Sequence, residues 1–161
     1  MPPRYRDGRR TSKHDRTCRV ERTHRSAAVV TRVFPFSPKS STRLEVGDLI
    51  AIPCPEGDWA VLQVSALRRS GPGARTTLGV GVLPWRGDRQ PTANAIEGLE
   101  FLEHGMTAIE IFTEGGAEVV DEAKLAGGVQ SNMHDMTVGT RHKVWGWRAA
   151  LDRARSAGGT V

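Results

Sequence analysis

Apolar and polar residues alternate most regularly between residues 44 and 83, and the pattern there predicts three consecutive β-strands. Leu49 to Pro53 makes a first strand after a Gly-Asp turn at 47–48. In "PEGD", residues 55–58, proline sets φ and glycine admits a positive φ, which is the chemistry of a tight hairpin. The second strand follows at once. Ala60, Leu62, Val64 and Ala66 share one face, predicted to be buried, and Trp59, Val61, Gln63 and Ser65 share the other. "RRSGPGAR", residues 68–75, reads as a loop, and Thr76 to Leu83 as a third strand. Leu78, Val80 and Val82 fall on one of its faces, Gly79 and Gly81 on the other. Paired glycines on a strand face predict strong bending or a large side chain laid across them, with Trp59 the candidate.

After residue 83 the pattern changes. "PWRGDRQP", residues 84–91, reads as a polar loop. Asn94, with Glu97 three residues on, has the spacing of a helix-capping box, and Ile96, Leu99 and Leu102 supply an apolar stripe that Gly105 ends. "TAIEIFTEGGAEVV", residues 107–120, reads as a strand, a turn at Gly115–Gly116 and a second short strand. Residues 121–140 are expected to be loop, "HKVWGW" at 142–147 a closing strand, and Arg148 to Arg155 a short helix. These elements add up to an α+β fold, mainly β: a small SH3-like or half-barrel antiparallel sheet with one or two short helices.

The chain of 161 residues is long enough for one core. Its net charge of +5 invites a nucleic-acid reading, but the charge is unevenly placed. Residues 1–32 carry a net +7 and residues 33–161 a net −2. The basicity therefore belongs to a tail and the domain is mildly acidic. Residues 1–38 are expected to be a disordered basic tail and a Pro/Ser linker, too poor in apolar side chains to offset the entropy of ordering. Residues 39–157 then form a single domain and 158–161 a disordered C-terminus. A chain beginning near Lys39 should on this reading be as stable as the whole. Cys18 and Cys54 have no metal-binding or redox spacing, and one lies in the tail, so a structural disulfide is not expected. No apolar run approaches a membrane span and no secretory h-region is present, which makes the cytoplasm the expected compartment.

Candidate chemistry is sparse. His104, His134 and His142 match no metal-ligand spacing, and Ser65, Ser70 and Ser131 lack the GxSxG context of a hydrolase. "GVGVLPWRG" is not a dinucleotide-binding fingerprint, because its third glycine is misplaced and no helix follows. Cys54 lies between two prolines with no sequence-adjacent cation to lower its pKa. No catalytic residue, metal ligand or cofactor is therefore expected.

One electrostatic feature stands out. Glu97, Glu100, Glu103, Glu110, Glu114, Glu118, Asp121 and Glu122 fall within 26 residues that contain no Lys or Arg. The i, i+3 spacing of Glu97, Glu100 and Glu103 would place them on one exposed helix face beside the apolar stripe. Such a face suits a basic protein partner, whose approach it would speed and orient. Tryptophans at 59, 85, 145 and 147 add candidate contacts. Trp85, in a Gly/Arg/Pro loop, is the one expected to be exposed, whereas Trp145 and Trp147 would share a strand face. The expected binding residues are thus Glu97, Glu100, Glu103, Glu110, Glu114 and Trp85.

"VGDLIAIPCPEGDWAVLQV", residues 46–64, resembles the opening of the immunity protein 26 family of bacterial polymorphic-toxin systems. Gly47, Asp48, Ile52, Pro53, Gly57, Trp59 and Val64 match its Gly-Asp turn, Ile-Pro strand end, glycine hairpin and aromatic-initiated strand, and "HKVWGW" resembles a later strand. The resemblance implies a small α+β protein without catalysis that binds and neutralises a cognate toxin, basic where it meets the acids. A rival likeness is to the SH3-like barrels of MazF/PemK-type endoribonucleases, which also open on Gly-Asp and a hydrophobic strand. Those barrels follow the second strand with an Arg-Pro-hydrophobic segment, where this chain has "WAVLQVSALRRSG". A small nucleic-acid-binding module using Trp85 and the arginine tail is a third reading.

Overall fold

The computed structural model describes residues 31–128 and 143–158. The expectations for the basic tail before residue 31, for Ser131, His134 and His142, and for residues 159–161 lie outside the described residues. The folded unit begins at Arg32. It contains β1 (Asp48–Pro53), β2 (Trp59–Leu67), β3 (Thr77–Gly87), β4 (Glu103–Ala108), α1 (Glu110–Thr113), β5 (Glu118–Glu122) and α2 (Trp147–Ala157). The strands make one five-stranded antiparallel sheet in the order β4-β3-β2-β1-β5, an α+β architecture with two short helices.

The β1–β2 hairpin forms where the turn chemistry placed it. Pro53 pairs with Trp59, Cys54 N donates to Asp58 O at 2.9 Å, and Gly57 takes a φ of 88°. The ladder register shifts at Leu49/Ile50, Ala60/Leu62 and Val64/Ala66, as at a β-bulge. Burial departs from the expected one-sided pattern. Every residue from Ala60 to Leu67 is buried, so both faces of the central strand are covered. Ile50, Ile52, Leu62, Val64 and Val80 pack on one face with Ile111 and Phe112 of α1 and with Ala150, Leu151 and Ala154 of α2. Leu49, Val61 and Leu83 pack on the other with Ile96 and Ala126, and with the partly buried Trp85 and Phe101.

Several expectations beyond residue 83 are corrected. β3 continues to Gly87, because Arg86 and Gly87 pair with Ala60 and Trp59 where a loop was expected. The side chain over Gly81 is Phe101 rather than Trp59, and a β-carbon there would overlap its ring. The helix expected from Asn94 is a single 3-10 turn, Ala93–Ile96, capped by Thr92. Gly98, with a φ of 79°, reverses the chain before a second turn can form. Leu102 is consequently exposed, and its N–H donates to Val82 O as the chain feeds into β4. β4 ends at Ala108, and residues 110–113 form α1 instead of extending the strand. Residues 143–145 make only an isolated parallel bridge, Met106 to Val144, with Trp145 laid across Gly105. Trp147 begins α2, so it shares no strand face with Trp145. The helix-forming run after Gly146 wins over strand alternation there.

Two arginines tie these parts together. Arg86 donates to Asp58 and to Glu56 (2.7 Å) in the hairpin and to Arg155 O (3.1 Å) in α2. Arg155 in turn donates to Pro53 O at 2.9 and 3.1 Å. The hydrogen bond from Arg86 holds the Asp58 carboxyl below its usual range. The pair's contribution to stability is therefore present above the ordinary carboxylate pKa and lost as pH falls through the lowered one.

The stretch at 32–38, expected to be a linker, lies against the sheet. Phe36 bridges Val119 on the outer edge of β5, and Phe34 and Phe36 pack on the first core. Arg32 reaches the fully buried Asp48 through two 2.6 Å bonds, and Asp48 also accepts from Glu45 N at 2.9 Å. The Arg32 guanidinium stacks 5.2 Å from both phenylalanine rings. Removing one member of a buried ion pair typically costs about 3–5 kcal/mol, because the other charge is left without its partner. Arg32→Ala is therefore expected to lose about 3 kcal/mol in urea unfolding, and truncation to Lys39 at least as much. A truncated chain as stable as the full one would show that the segment contributes nothing.

Candidate functional site

Gln63 lies in the middle of β2, on the sheet face that the alternation marked as outward, and it is fully buried. Its Nε2 lies 3.2 Å from Gly47 O, 3.3 Å from Ala123 O and 3.1 Å from Lys124 O, and its Oε1 accepts from Ala126 N at 2.9 Å. Both ends of the amide are thus satisfied inside the protein, and residues 123–126 are held against the sheet. Gly47 matters here for space. Its φ is 104°, and a β-carbon would run into Ala123 O, whose own N–H donates to Gly47 O at 3.0 Å.

A second wall is anchored from β5. The Asp121 carboxylate accepts from Ala93 N at 2.7 Å and so fixes the turn at Ala93–Ile96. Between the two walls runs a groove of about 710 Å³, lined by residues 93–94, 96–100 and 123–128. Ile96, Leu99 and Ala126 belong to the apolar cluster beneath it. Glu97 and Glu100 stand exposed along it, with the exposed Lys124 on the other wall. Among the described residues neither glutamate forms an ion pair.

The other expected site residues lie elsewhere. Glu103 does not share a helix face with Glu97 and Glu100. It sits in β4, half-buried, and holds Arg153 at 2.5 Å and Lys143 at 3.8 Å beside a second groove formed with α2. Glu110 and Glu114 are exposed at the two ends of α1, Glu114 beside Trp147. Trp85 is not an exposed loop residue. It projects from β3, partly buried, over Gly87 and against the cluster that underlies the groove. The structure therefore brings Glu97 and Glu100 together and separates the rest. Neither Gln63 nor Asp121 was among the expected binding residues; Asp121 stood out only as one of the eight acids, and Gln63 only as the lone amide in a strand whose other polar side chain is Ser65.

His104 packs edge-on against Phe101, ring centroids 4.5 Å apart, and burial lowers its pKa. Burial pushes the Cys54 thiol pKa up, with Arg86 acting in the opposite direction. The thiol is directed at Ile52 O. Among the described residues no group of three or more His, Cys, Asp and Glu is placed to hold a metal ion, and no helix is long and apolar enough to cross a membrane. Among the described residues the buried hydroxyls of Ser65 and Thr107 have no hydrogen-bond partner, and neither residue lines the groove of Glu97 and Glu100 or the one beside Glu103. Comparison with protein-family models, with characterised proteins and with solved structures finds no match to this chain.

Replacing Gln63 with leucine keeps similar volume but leaves the carbonyls at 47, 123 and 124 and the Ala126 N–H without the amide. The expected cost is about 3 kcal/mol, since each buried group left unsatisfied costs roughly 1–3 kcal/mol and part of the set can recover partners. Amide hydrogen exchange should quicken selectively across 123–128. Uniform quickening over the whole sheet would mean that Gln63 has no special hold on the groove wall.

Proposed function

We propose that this chain is a non-catalytic binding protein that neutralises a protein toxin, with a basic segment of the toxin entering the groove between residues 93–100 and 123–128. The observation that carries this reading is the combination of an apolar floor with two exposed carboxylates, Glu97 and Glu100, that have no cationic partner among the described residues. An arginine or lysine side chain fits both halves of such a site, because its methylene stem covers apolar surface while its head meets the carboxylates. Asp121 and Gln63 fix the two walls before any partner arrives, so little ordering is left for the binding step. Trp85 supports the floor from within the same cluster. Glu103 is already engaged with Arg153, and Glu110 and Glu114 lie on α1, so these three contribute at most to the long-range field. The likeness of residues 46–64 to immunity proteins supports a toxin as the partner and the cytoplasm as the place of action.

The test is to sequence the genes on either side, co-express this chain with any toxin domain found there, and measure binding kinetics on the purified pair. Protection of growth is expected, together with a direct complex. Changing Glu97 and Glu100 to Gln should leave the fold intact, slow association roughly three- to tenfold at low salt and flatten its salt dependence. An on-rate and salt slope equal to wild type would move the partner off this groove. Incubation with RNA separates the ribonuclease reading: cleavage abolished by a single substitution would replace the binding role with an enzymatic one.

A further inference from the structure

Some cations of the described residues are held by partners inside the fold and others are exposed without an ion pair; among the latter, Arg89, Lys124 and Arg148 lie on separate segments. Arg32, Arg86, Arg153 and Arg155 each hold a carboxylate or a backbone carbonyl. Lys39, Arg43, Arg69 and Arg75 are exposed and form no ion pair among the described residues. These four lie on two segments that the fold clamps together. Ser41, itself buried, donates from its N–H to Arg75 O at 3.0 Å and from its hydroxyl to Ala74 O at 2.7 Å. Ser40 adds a 3.3 Å bond to Arg75 O.

The loop that carries Arg69 and Arg75 is held by its own turns. Ala74 N donates to Gly71 O at 3.2 Å and Thr77 N to Gly73 O at 2.9 Å, with both glycines at a φ of 79°. The Arg43 guanidinium lies 5.4 Å from the centroid of the Phe36 ring. Glu45 is the one acid on residues 39–45 and 68–77, and Glu110 is brought near by the bond from Ile109 N to Thr76 O. The local balance therefore stays positive. Arg32 donates to Arg43 O at 3.5 Å, so its guanidinium stands beside this surface. The sequence before it, residues 1–31, carries nine Arg or Lys against three Asp or Glu.

We infer that the surface formed by residues 39–43 and 68–75 binds the phosphates of a nucleic-acid backbone without reading its sequence. Three of its four exposed cations are arginines, whose planar forks match phosphate oxygens in pairs. None of these side chains must give up an internal carboxylate to do so. The surface carries no exposed aromatic for base stacking, which restricts it to backbone contact. A lipid surface would ask for an apolar face to bury. The exposed large apolar residues among those described are Val33, Leu102 and Val144, and only Val33 adjoins this surface in the chain. This site is separate from the groove of Glu97 and Glu100 and does not depend on the toxin-binding reading.

The experiment uses the full chain and a fluorescently labelled DNA duplex of about 25 base pairs, titrated between about 50 and 200 mM salt. The variant changes Lys39, Arg43, Arg69 and Arg75 to Gln and keeps the N-terminal arginines. Each lost phosphate contact should flatten the log–log salt slope by about 0.9, so the quadruple variant is expected to flatten it by about 3 to 4 and to bind at least tenfold more weakly near 0.1 M salt. The loop-only pair Arg69→Gln and Arg75→Gln, whose slope should flatten by about 2, serves if the quadruple variant melts early. A control pair, Arg89→Gln and Arg148→Gln, should change the slope by less than about 1. Failure of the wild type to bind the duplex at the lowest salt would overturn the inference. So would variants that match wild type, or a control pair that loses as much per charge as the surface does. Phosphatidylserine vesicles form the last arm: binding to them but not to duplex, with the same sensitivity, would assign the surface to lipid and sink the nucleic-acid claim.

Discussion

The central strand β2 is buried along both faces, and much of the rest follows from that constraint. A strand covered on both sides has no water to offer a polar side chain, so each must be apolar, small or fully bonded. Most of β2 satisfies this with Val61, Leu62, Val64, Ala66 and Leu67. Gln63 satisfies it by drawing residues 123–126 onto the sheet, and a protein-spanning tie results from one buried amide. The second layer is built largely of turns, which have few ladder bonds of their own, so a side-chain anchor replaces what a helix would supply on the first face.

Missing β-carbons complete the covering. Gly81 and Gly105 leave sockets on opposite faces, and Phe101 and Trp145 fill them. Both aromatics come from segments without regular structure, so the glycines fix the path of chain that hydrogen-bond ladders leave free. The charged groups follow a comparable division. Arg32, Arg86 and Arg155 act as internal ties over long sequence separations, whereas Glu97, Glu100, Lys39, Arg43, Arg69 and Arg75 keep their charge at the surface. Charges held inside set the register of the parts, and charges kept at the surface set what approaches from outside.

The meander of β1, β2 and β3 was legible in the sequence because alternation and turn chemistry act locally. Pro55 and Gly57 specify a hairpin whatever surrounds them. The region from Asn94 to Leu102 was misread for the opposite reason. Its i, i+3 apolar spacing satisfies a helix, but Gly98 admits a reversal, and the socket over Gly81 rewards a chain that delivers Phe101. Tertiary demand outweighed local periodicity. The same holds for Trp147, whose alternation with Trp145 ended where a helix-forming run could dock Ala150 and Leu151 on the core. Of the candidate site, the exposed glutamates could be picked out from composition, but their grouping could not. Which acids share a groove depends on Asp121 reaching Ala93 and Gln63 reaching Ala126, contacts that span 28 and 63 residues.

The bridge between Phe36 and Val119 also has a temporal side. The two residues are 83 positions apart, yet they protect the same sheet edge. On a ribosome adding roughly 5–20 residues per second, Phe36 emerges several seconds before its partner strand exists. Asp48, only 16 residues from Arg32, can be captured much earlier. The nascent chain thus has the means to park its early aromatic residues beside β1 through an ion pair while the outermost strand is still being translated. An exposed pair of phenylalanines is a hazard for aggregation during that interval, and a charge anchored next to them shortens it.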